Sequence, residues 1–203
     1  MRRDAQLDAD VVIVGSGVAG ALIAARLTTA GARVRILEAG PRTDRAAAVR
    51  RYRSGQWAYE SVPWAPQPAG MPAGSYYVQA GSVPFASDYE RRVGGTTWHW
   101  LGNCPRLLPS DFAMQTRFGV GVDWPISYDD LEPWYVDAEH EHGVSGNSSH
   151  DAGSPRSADF PMPAIPMSSG DAMFRRAAAA IGLDLVHTPQ ARNATPGYQG
   201  RPQ

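Results

Sequence analysis

Hydrophobic positions form two short runs near the start of the chain, with a helical pattern between them. The first run, Val11-Val12-Ile13-Val14, consists of β-branched residues and predicts a buried parallel strand. Apolar residues continue at helical spacing over residues 21–27, and the run Val34-Arg35-Ile36-Leu37 predicts a second strand. The order of strand, helix and strand predicts the start of an α/β fold with a parallel sheet.

A glycine-rich turn joins the first strand to the helix. The segment Gly15-Ser16-Gly17-Val18-Ala19-Gly20 has the GxGxxG spacing of a dinucleotide-binding loop. Gly15 permits a sharp turn, Gly17 lets the backbone approach a pyrophosphate, and Gly20 lets the helix pack closely on the strand. The N-terminus of the helix then offers its unpaired N–H groups to the phosphates.

A carboxylate follows the second strand. Glu38 lies roughly 20 residues beyond the glycines, which is the spacing of a group that binds a ribose 2′-hydroxyl. Its negative charge would repel a 2′-phosphate, so NADP is disfavoured. A lone GxGxxG is weak evidence, but strand, helix, second strand and acid agree here. The first 40 residues therefore predict a dinucleotide site and leave FAD and NAD open.

A second glycine signature occupies residues 92–100, with the sequence Arg92-Val93-Gly94-Gly95-Thr96-Thr97-Trp98-His99-Trp100. Paired glycines permit close approach to a planar group or a phosphate. The two hydroxyls and the backbone amides supply hydrogen-bond donors. This segment favours FAD, because a site for NAD alone gives it no role.

With these two signatures the chain resembles the glucose-methanol-choline (GMC) oxidoreductases, flavoenzymes that oxidise alcohols and sugars. The resemblance extends to Leu37-Glu38-Ala39-Gly40 after the second strand. It is strongest to one branch of the family, the catalytic subunits of bacterial membrane-associated FAD dehydrogenases for glucose, gluconate, sorbitol and related polyols. The blocks that carry this similarity are residues 93–100, 109–112, 121–126, 128–133, 191–193 and 200–202.

The resemblance implies a fold class and a division of the chain. The fold is α/β, the N-terminal part of a Rossmann-like FAD-binding domain of GMC type, incomplete and with long irregular covering loops. Residues 1–40 form the first βαβ portion, and residues 41–92 form a helix and a covering loop rich in proline and aromatic residues. Residues 93–126 form a flavin-contact segment. Residues 127–203 form helices and connections that lead to the remainder of the domain.

The resemblance also implies FAD as the cofactor and assigns a set of residues to it. These residues are Gly15, Ser16, Gly17, Gly20, Glu38, Gly94, Gly95, Thr96, Thr97, His99 and Asn103. In some family members a histidine in the setting of His99 is bonded covalently to the flavin, since a neutral imidazole nitrogen can attack an activated flavin methyl group. A covalent bond at His99 and a histidine that only forms hydrogen bonds both stay open.

Catalysis in the family uses a histidine near the C-terminus as the base, and an iron–sulfur cluster carries electrons onward to a cytochrome. No histidine of the chain matches that base by motif: His99, His140, His142, His150 and His187. No catalytic residue and no metal ligand is therefore assigned, and the isolated chain is expected to be inactive. The iron–sulfur cluster is expected only downstream of residue 203.

Composition limits the partners of the chain. The net charge is −1 and no segment has the length of a membrane span, so neither nucleic acid nor membrane insertion is expected. Acidic residues at Asp4, Asp8 and Asp10 interrupt any secretory signal. Cys104 is the only cysteine, which excludes an intrachain disulfide and predicts a buried, unreactive thiol.

The expected partners follow from the resemblance. It implies a sugar or polyol substrate, a small subunit that carries the export signal, and a cytochrome c subunit. These subunits would place the protein at the periplasmic face of the inner membrane. A chain acting alone would be cytoplasmic.

Patterns beyond residue 40 predict several further elements. Residues 42–53 predict a short helix, and residues 57–85 predict an extended covering loop because their prolines forbid regular structure. Ser127 is the expected N-cap of a helix that ends at Gly143. Residues 171–181 predict another helix, followed by a short strand over residues 183–187.

The segment Glu139-His140-Glu141-His142 resembles a metal-binding sequence at first sight. The two histidines are two residues apart, so on a helix they point in different directions. A solvated helix end is therefore expected.

Two alternatives to the flavoenzyme hypothesis stay open. One is an NAD-dependent Rossmann dehydrogenase, which would require a nicotinamide pocket. The other is a truncated non-catalytic protein, either a binding module or a remnant.

Overall fold

The computed structural model describes residues 8–55, 80–83, 90–150 and 153–201. The chain forms two compact units, Met1–Trp100 and Leu101–Gln203, called here the N-terminal unit and the C-terminal unit. No helix among the described residues is both long enough and apolar enough to cross a membrane.

The N-terminal unit begins with the predicted strand, helix and strand. Strand β1 is Val11–Val14, helix α1 is Val18–Thr29 and strand β2 is Val34–Leu37. The strands pair in parallel, with Val11 opposite Val34 and Val14 opposite Leu37. Helix α1 packs on both strands, and its Ala24 is buried. The predicted α/β start is therefore confirmed.

The expected burial of β1 is wrong for two of its residues. Val12 is 54% exposed and Val14 is 85% exposed. Side chains alternate between the faces of a strand, and α1 is the element among the described residues that packs on this sheet. The face that carries Val12 and Val14 consequently stays open, although β-branched composition favoured burial on both sides.

The chain then forms helix α2, Arg45–Gly55, which confirms the helix predicted over residues 42–53. Most of the covering loop predicted over residues 57–85 lies outside the described residues. That loop stays a prediction, as does the division of the chain into four segments.

The second glycine signature lies against the end of β2. The Val93 N–H donates to the Pro41 carbonyl at 3.0 Å. A Cβ atom on Gly40 would lie 2.2 Å from the carbonyl oxygen of Arg91, so only glycine permits this approach of two backbones. The segment that leaves the sheet at Gly40 is therefore hydrogen-bonded to the segment that begins the second signature at Val93.

The C-terminal unit is mainly helical. Its elements are a 3₁₀ helix at Pro109–Ala113, α3 at Met114–Phe118, α4 at Tyr128–His142, β3 at Ser145–Gly146, β4 at Met162–Pro163, α5 at Ser169–Ala180 and a 3₁₀ helix at Tyr198–Gly200. Strands β3 and β4 pair in parallel. The predicted helices at 127–143 and 171–181 are confirmed, each within two residues.

Both long helices of this unit begin with reciprocal caps. The Ser127 hydroxyl accepts the Asp130 N–H, and the Asp130 carboxylate accepts the Ser127 N–H. Ser168 and Asp171 form the same pair at the start of α5. Gly143 ends α4 with φ 67°, a left-handed conformation that favours glycine.

The strand predicted over residues 183–187 is wrong. That segment forms no ladder with the described residues, and pairing occurs at Gln190, which bridges to Asn103 and Ser145. The Leu183 N–H instead donates to the Ala178 carbonyl at the end of α5. Apolar residues at 183–187 satisfied the strand pattern, but no strand among the described residues pairs with them.

The solvated helix end predicted at residues 139–142 is wrong for Glu139, which is buried. Its two carboxylate oxygens accept from Arg106 Nε at 2.7 Å and Nη2 at 2.9 Å. Arg156 approaches the same carboxylate at 3.0 Å, and Arg106 also donates to Glu132 at 2.9 Å. Two arginines and two glutamates thus form a neutral ionic cluster inside the C-terminal unit.

Candidate dinucleotide site

A cavity of about 410 Å³ opens in the N-terminal unit at the carboxyl ends of β1 and β2. This is the edge of a parallel sheet where such folds bind their ligands. The cavity is lined by Val14, Gly15, Ser16, Gly17, Leu37, Glu38, Ala39, Glu90, Arg92, Gly95 and Thr96. Residues from both glycine signatures therefore share one wall.

The three glycines of the first signature have three different environments. Gly15 adopts φ +90°, which permits the turn out of β1. A Cβ atom on Gly17 would have no atom within 4 Å, so this backbone faces open space. A Cβ atom on Gly20 would lie 2.3 Å from the Gly15 carbonyl oxygen. Gly17 therefore leaves room for a ligand, and Gly20 allows α1 to pack on the turn.

Ser16 connects the first signature to both other parts of the site. Its hydroxyl donates to Glu38 Oε2 at 2.6 Å, and its backbone N–H donates to the same oxygen at 3.0 Å. The hydroxyl oxygen accepts the Gly94 N–H at 3.1 Å. One side chain thus bonds to the acid after β2 and to the first glycine of the second signature.

Three hydrogen bonds from described residues hold the Glu38 carboxylate. Two come from Ser16, and the third comes from the Gly40 N–H, 2.8 Å from Oε1. These bonds, led by the Ser16 hydroxyl, lower the pKa of the Glu38 carboxyl. The group is therefore ionised at neutral pH, and a carboxylate has about four lone-pair positions, so it can accept a further donor.

The second signature forms a left-handed turn followed by a short helix. Gly94 has φ 93° and Gly95 has φ 54°, and a 3₁₀ helix spans Gly95–His99. The Trp98 indole N–H donates to the Val93 carbonyl at 2.9 Å. The glycines thus allow the chain to turn back across the cavity.

Sequence reasoning missed two charged residues at the cavity. Glu90 is 2% exposed, and it accepts a hydrogen bond from Arg92. Arg92 also donates to the Thr43 hydroxyl at 3.0 Å. The charged residues just before Val93 were the available signal in the sequence. Thr43, the partner of Arg92, lies 49 residues away in sequence, so their contact was not visible there.

The remaining predicted cofactor residues have other positions. The Thr97 carbonyl accepts the Trp100 N–H at 3.3 Å, and Thr97 does not line the cavity. The backbone of His99 ends the 3₁₀ helix, and its side chain lies outside the described atoms. Asn103 belongs to the C-terminal unit, where it pairs with Gln190. Their roles in cofactor binding stay predictions.

Cys104 is half-buried, whereas a buried thiol was expected. Its Sγ donates to the Gly102 carbonyl at 3.4 Å. Burial raises the pKa of the Cys104 thiol, which disfavours the reactive thiolate. No cluster of three or more metal-ligating side chains occurs in the part of the chain that the structure describes.

The turn, the parallel strands and the acid after β2 define a Rossmann-like dinucleotide-binding unit. Residues 13–62 match the family described as "NAD(P)-binding Rossmann-like domain". The match covers the second half of β1 and all of α1, β2 and α2, so the fold class predicted from the glycine turn is confirmed.

Characterised relatives cover most of the chain. It is 40% identical to the fructose dehydrogenase large subunit of Gluconobacter japonicus over 97% of its own length and 39% of the relative. It is 34% identical to 2-methyl-1,2-propanediol dehydrogenase of Mycolicibacterium austroafricanum, over 68% of the chain and 25% of the relative. It is 27% identical to the gluconate 2-dehydrogenase flavoprotein of Pantoea cypripedii, over 92% of the chain and 36% of the relative.

These relatives and the Rossmann-like match support the resemblance to GMC-type FAD subunits that the motifs indicated. The chain spans about two fifths of the length of the fructose dehydrogenase subunit. The relatives are named as dehydrogenases, which supports an oxidoreductase and points to a flavin or nucleotide cofactor. The names "large subunit" and "flavoprotein" belong to those relatives.

Proposed function

We propose that this chain supplies the FAD-binding portion of an oxidoreductase that oxidises a CH–OH group of sugars, polyols or sugar acids. The observation that carries the proposal is the cavity in which Ser16 joins Glu38 to Gly94. An adenine dinucleotide accounts for the first signature and the acid, and a flavin accounts for the second signature.

The pyrophosphate is assigned to the N-terminus of α1. Gly17 is the N-cap of this fully described helix, no side chain caps it, and its first turn carries no acidic residue. The open space beside Gly17 leaves room for phosphate oxygens next to the helix N–H groups. The residues present therefore fit a dinucleotide.

The ribose is assigned to Glu38. This ionised carboxylate retains an acceptor position, which a ribose hydroxyl can use. The isoalloxazine ring is assigned to the side of Gly95 and Thr96, which line the same cavity. Bound flavin would accept a hydride from the substrate carbon.

Electron transfer and location are the less direct parts of the proposal. Electrons would pass to a cytochrome acceptor through an iron–sulfur cluster held by chain beyond residue 203. A small export subunit and a cytochrome c subunit would place the assembly at the periplasmic face of the inner membrane. The isolated chain is proposed to lack turnover, and reduction of a dye acceptor by fructose, gluconate or a polyol would contradict that statement.

The test is a titration of the chain with FAD, followed by flavin fluorescence, with NAD as the competing ligand. We expect FAD to bind and Glu38→Ala to weaken binding by about tenfold, because one charged hydrogen bond is lost. Asp137→Ala, which removes an exposed carboxylate of α4, is the control and is expected to leave binding unchanged.

An NAD site is the second candidate, and the match to an NAD(P)-binding family favours it. NAD binding in place of FAD would overturn the flavin proposal. Retention of NADP with an affinity similar to NAD would also contradict the role of Glu38, whose charge repels a 2′-phosphate.

Acid precipitation of the chain reconstituted with FAD separates two contacts of His99 with the flavin, a covalent bond and a hydrogen bond. Flavin absorbance and the added mass of FAD that stay with the precipitated chain would indicate the covalent bond. His99→Ala is expected to release all flavin on precipitation. Complete release from the unaltered chain would show that the flavin is held without a covalent bond.

A further inference from the structure

Ser16 occupies an unspecified position of the GxGxxG pattern, yet its side chain has defined partners. The Ser16 hydroxyl has one proton, and Glu38 Oε2 receives it at 2.6 Å. The lone pairs of the same oxygen then accept the Gly94 N–H at 3.1 Å. Because a carboxylate can only accept, the direction of both hydrogen bonds is fixed.

These two bonds join parts of the chain that are distant in sequence. Ser16 and Gly94 are 78 residues apart, and Ser16 and Glu38 are 22 residues apart. Gly94 adopts the left-handed φ of 93°, and its N–H is partly buried. Loss of the hydroxyl would leave this N–H without its acceptor at the point where the chain turns into the cavity.

Other hydrogen bonds of this turn lie within it or at its flanks, and one runs from the Gly95 N–H to the Arg92 carbonyl at 2.7 Å. Val93 donates to Pro41, and the Trp98 indole returns to the Val93 carbonyl. Ser16 therefore provides the contact between the glycine turn after β1 and the first glycine of the second signature.

We infer that the Ser16 hydroxyl is a positioning group that holds the Gly94–Gly95 turn to the Glu38 carboxylate and so sets the shape of the cavity before a ligand binds. The inference deepens the proposed function and rests on it for the identity of the ligand. Ser16 acts through Gly94 and Glu38, and no chemical step is assigned to it.

The chain contains a matched control. The Ser168 hydroxyl donates to an Asp171 carboxylate oxygen at 2.7 Å and accepts the Asp171 N–H at 3.1 Å. Ser168→Ala therefore deletes the same two kinds of bond as Ser16→Ala, but in the C-terminal unit. A difference between the two variants in Gly94 exchange rate or FAD affinity is therefore due to where the hydroxyl lies and not to the loss of a serine as such.

The first experiment measures amide hydrogen exchange in the ligand-free chain. Ser16→Ala is expected to speed exchange of the Gly94 amide by about tenfold, because one hydrogen bond protects it. The Ala21 amide, which bonds to the Gly17 carbonyl at 2.9 Å, is an internal reference for an intact α1 and is expected to keep its rate. Ser16→Thr retains the hydroxyl and is expected to exchange like the unaltered chain.

The second experiment titrates the same variants with FAD. Ser16→Ala is expected to bind about tenfold more weakly, while Ser16→Thr and Ser168→Ala bind like the unaltered chain. An unchanged Gly94 exchange rate or an unchanged FAD affinity in Ser16→Ala overturns the inference. If Ser16→Ala does not fold, the same two criteria apply to Ser16→Cys, whose thiol is a weak hydrogen-bond partner.

The two proposals fail in distinguishable ways. If the unaltered chain binds no FAD, the proposed function fails. The exchange rate of the Gly94 amide then decides by itself whether Ser16 positions the turn.

Discussion

The N-terminal unit shapes its cavity by omitting side chains, whereas the C-terminal unit places paired charges beside its buried apolar residues. In the first, Gly20 and Gly40 allow backbones to approach to distances that no Cβ would permit. In the second, Arg106 and Glu139 are buried together with Glu132 and Arg156 around them. A ligand site needs empty space beside backbone donors, while charges buried in a packed interior need partners that neutralise them.

The largest expected effect breaks the ionic cluster. Glu139→Ala leaves Arg106 and Arg156 without their shared carboxylate, which is expected to reduce the free energy of unfolding by about 3–5 kcal/mol. Urea unfolding followed by circular dichroism measures the change. Asp137→Ala, on an exposed position of the same helix, is the control and is expected to change stability by less than about 0.5 kcal/mol. Equal effects of the two variants would contradict a stabilising role for the cluster.

A smaller effect is expected from crowding the glycine turn. Gly20→Ala places a Cβ 2.3 Å from the Gly15 carbonyl oxygen, so the helix must shift, at a cost of about 1–3 kcal/mol. Thermal unfolding measures this loss. Gly17→Ala is the matched control, since Gly17 has φ −64° and open space around its Cβ position.

The same control sharpens the comparison. Gly17→Ala is expected to preserve the melting temperature and to weaken FAD binding, because the added methyl group stands where the pyrophosphate is assigned. A Gly17→Ala chain that unfolds as easily as Gly20→Ala would show that space at this turn serves packing and not a ligand.

The smallest expected effect is a pH dependence of the C-terminal unit. The Ser157 backbone N–H, with the Ser157 hydroxyl and Arg106, lowers the pKa of the Glu132 carboxyl from 4.5 to about 2. Because this pKa is lowered, the ionised Glu132 carboxylate contributes its full stabilisation of the folded state above pH 4.5. This contribution is lost as the pH falls toward 2.

We expect the contribution of Glu132 to be about 1 kcal/mol, because part of the group is in contact with solvent. Unfolding free energies at pH 6 and pH 3 measure it in the unaltered chain and in Glu132→Gln. The unaltered chain should lose more stability between the two pH values. Parallel losses in both chains would assign the pH dependence to other groups.

Features with local signals were predictable from the sequence. Periodicity and the glycine spacing located β1, α1 and β2, and the serine caps located the starts of α4 and α5. Each of these depends on residues within one turn or one strand of each other. The conformation is then decided largely by the segment itself.

Features that depend on distant partners were not predictable. Glu139 lies in a polar helical pattern that predicts exposure, but it is buried because it forms an ion pair with Arg106, 33 residues earlier in the chain. The hydrogen bond between Ser16 and Gly94 joins residues 78 positions apart. The sequence pattern therefore pointed to both residues but could not predict that they are in contact. Residues 183–187 had the composition of a strand, but they pair with no strand in the described part of the chain.

The bond between Val93 and Pro41 has a consequence for how this protein can vary. It closes the intervening stretch of chain into a loop whose two ends meet beside Gly40. The entropy of closing a loop grows only logarithmically, so doubling its length costs about 0.6 kcal/mol. Insertions between residues 56 and 89 can therefore change the length of this stretch of chain while the glycine turns keep their places.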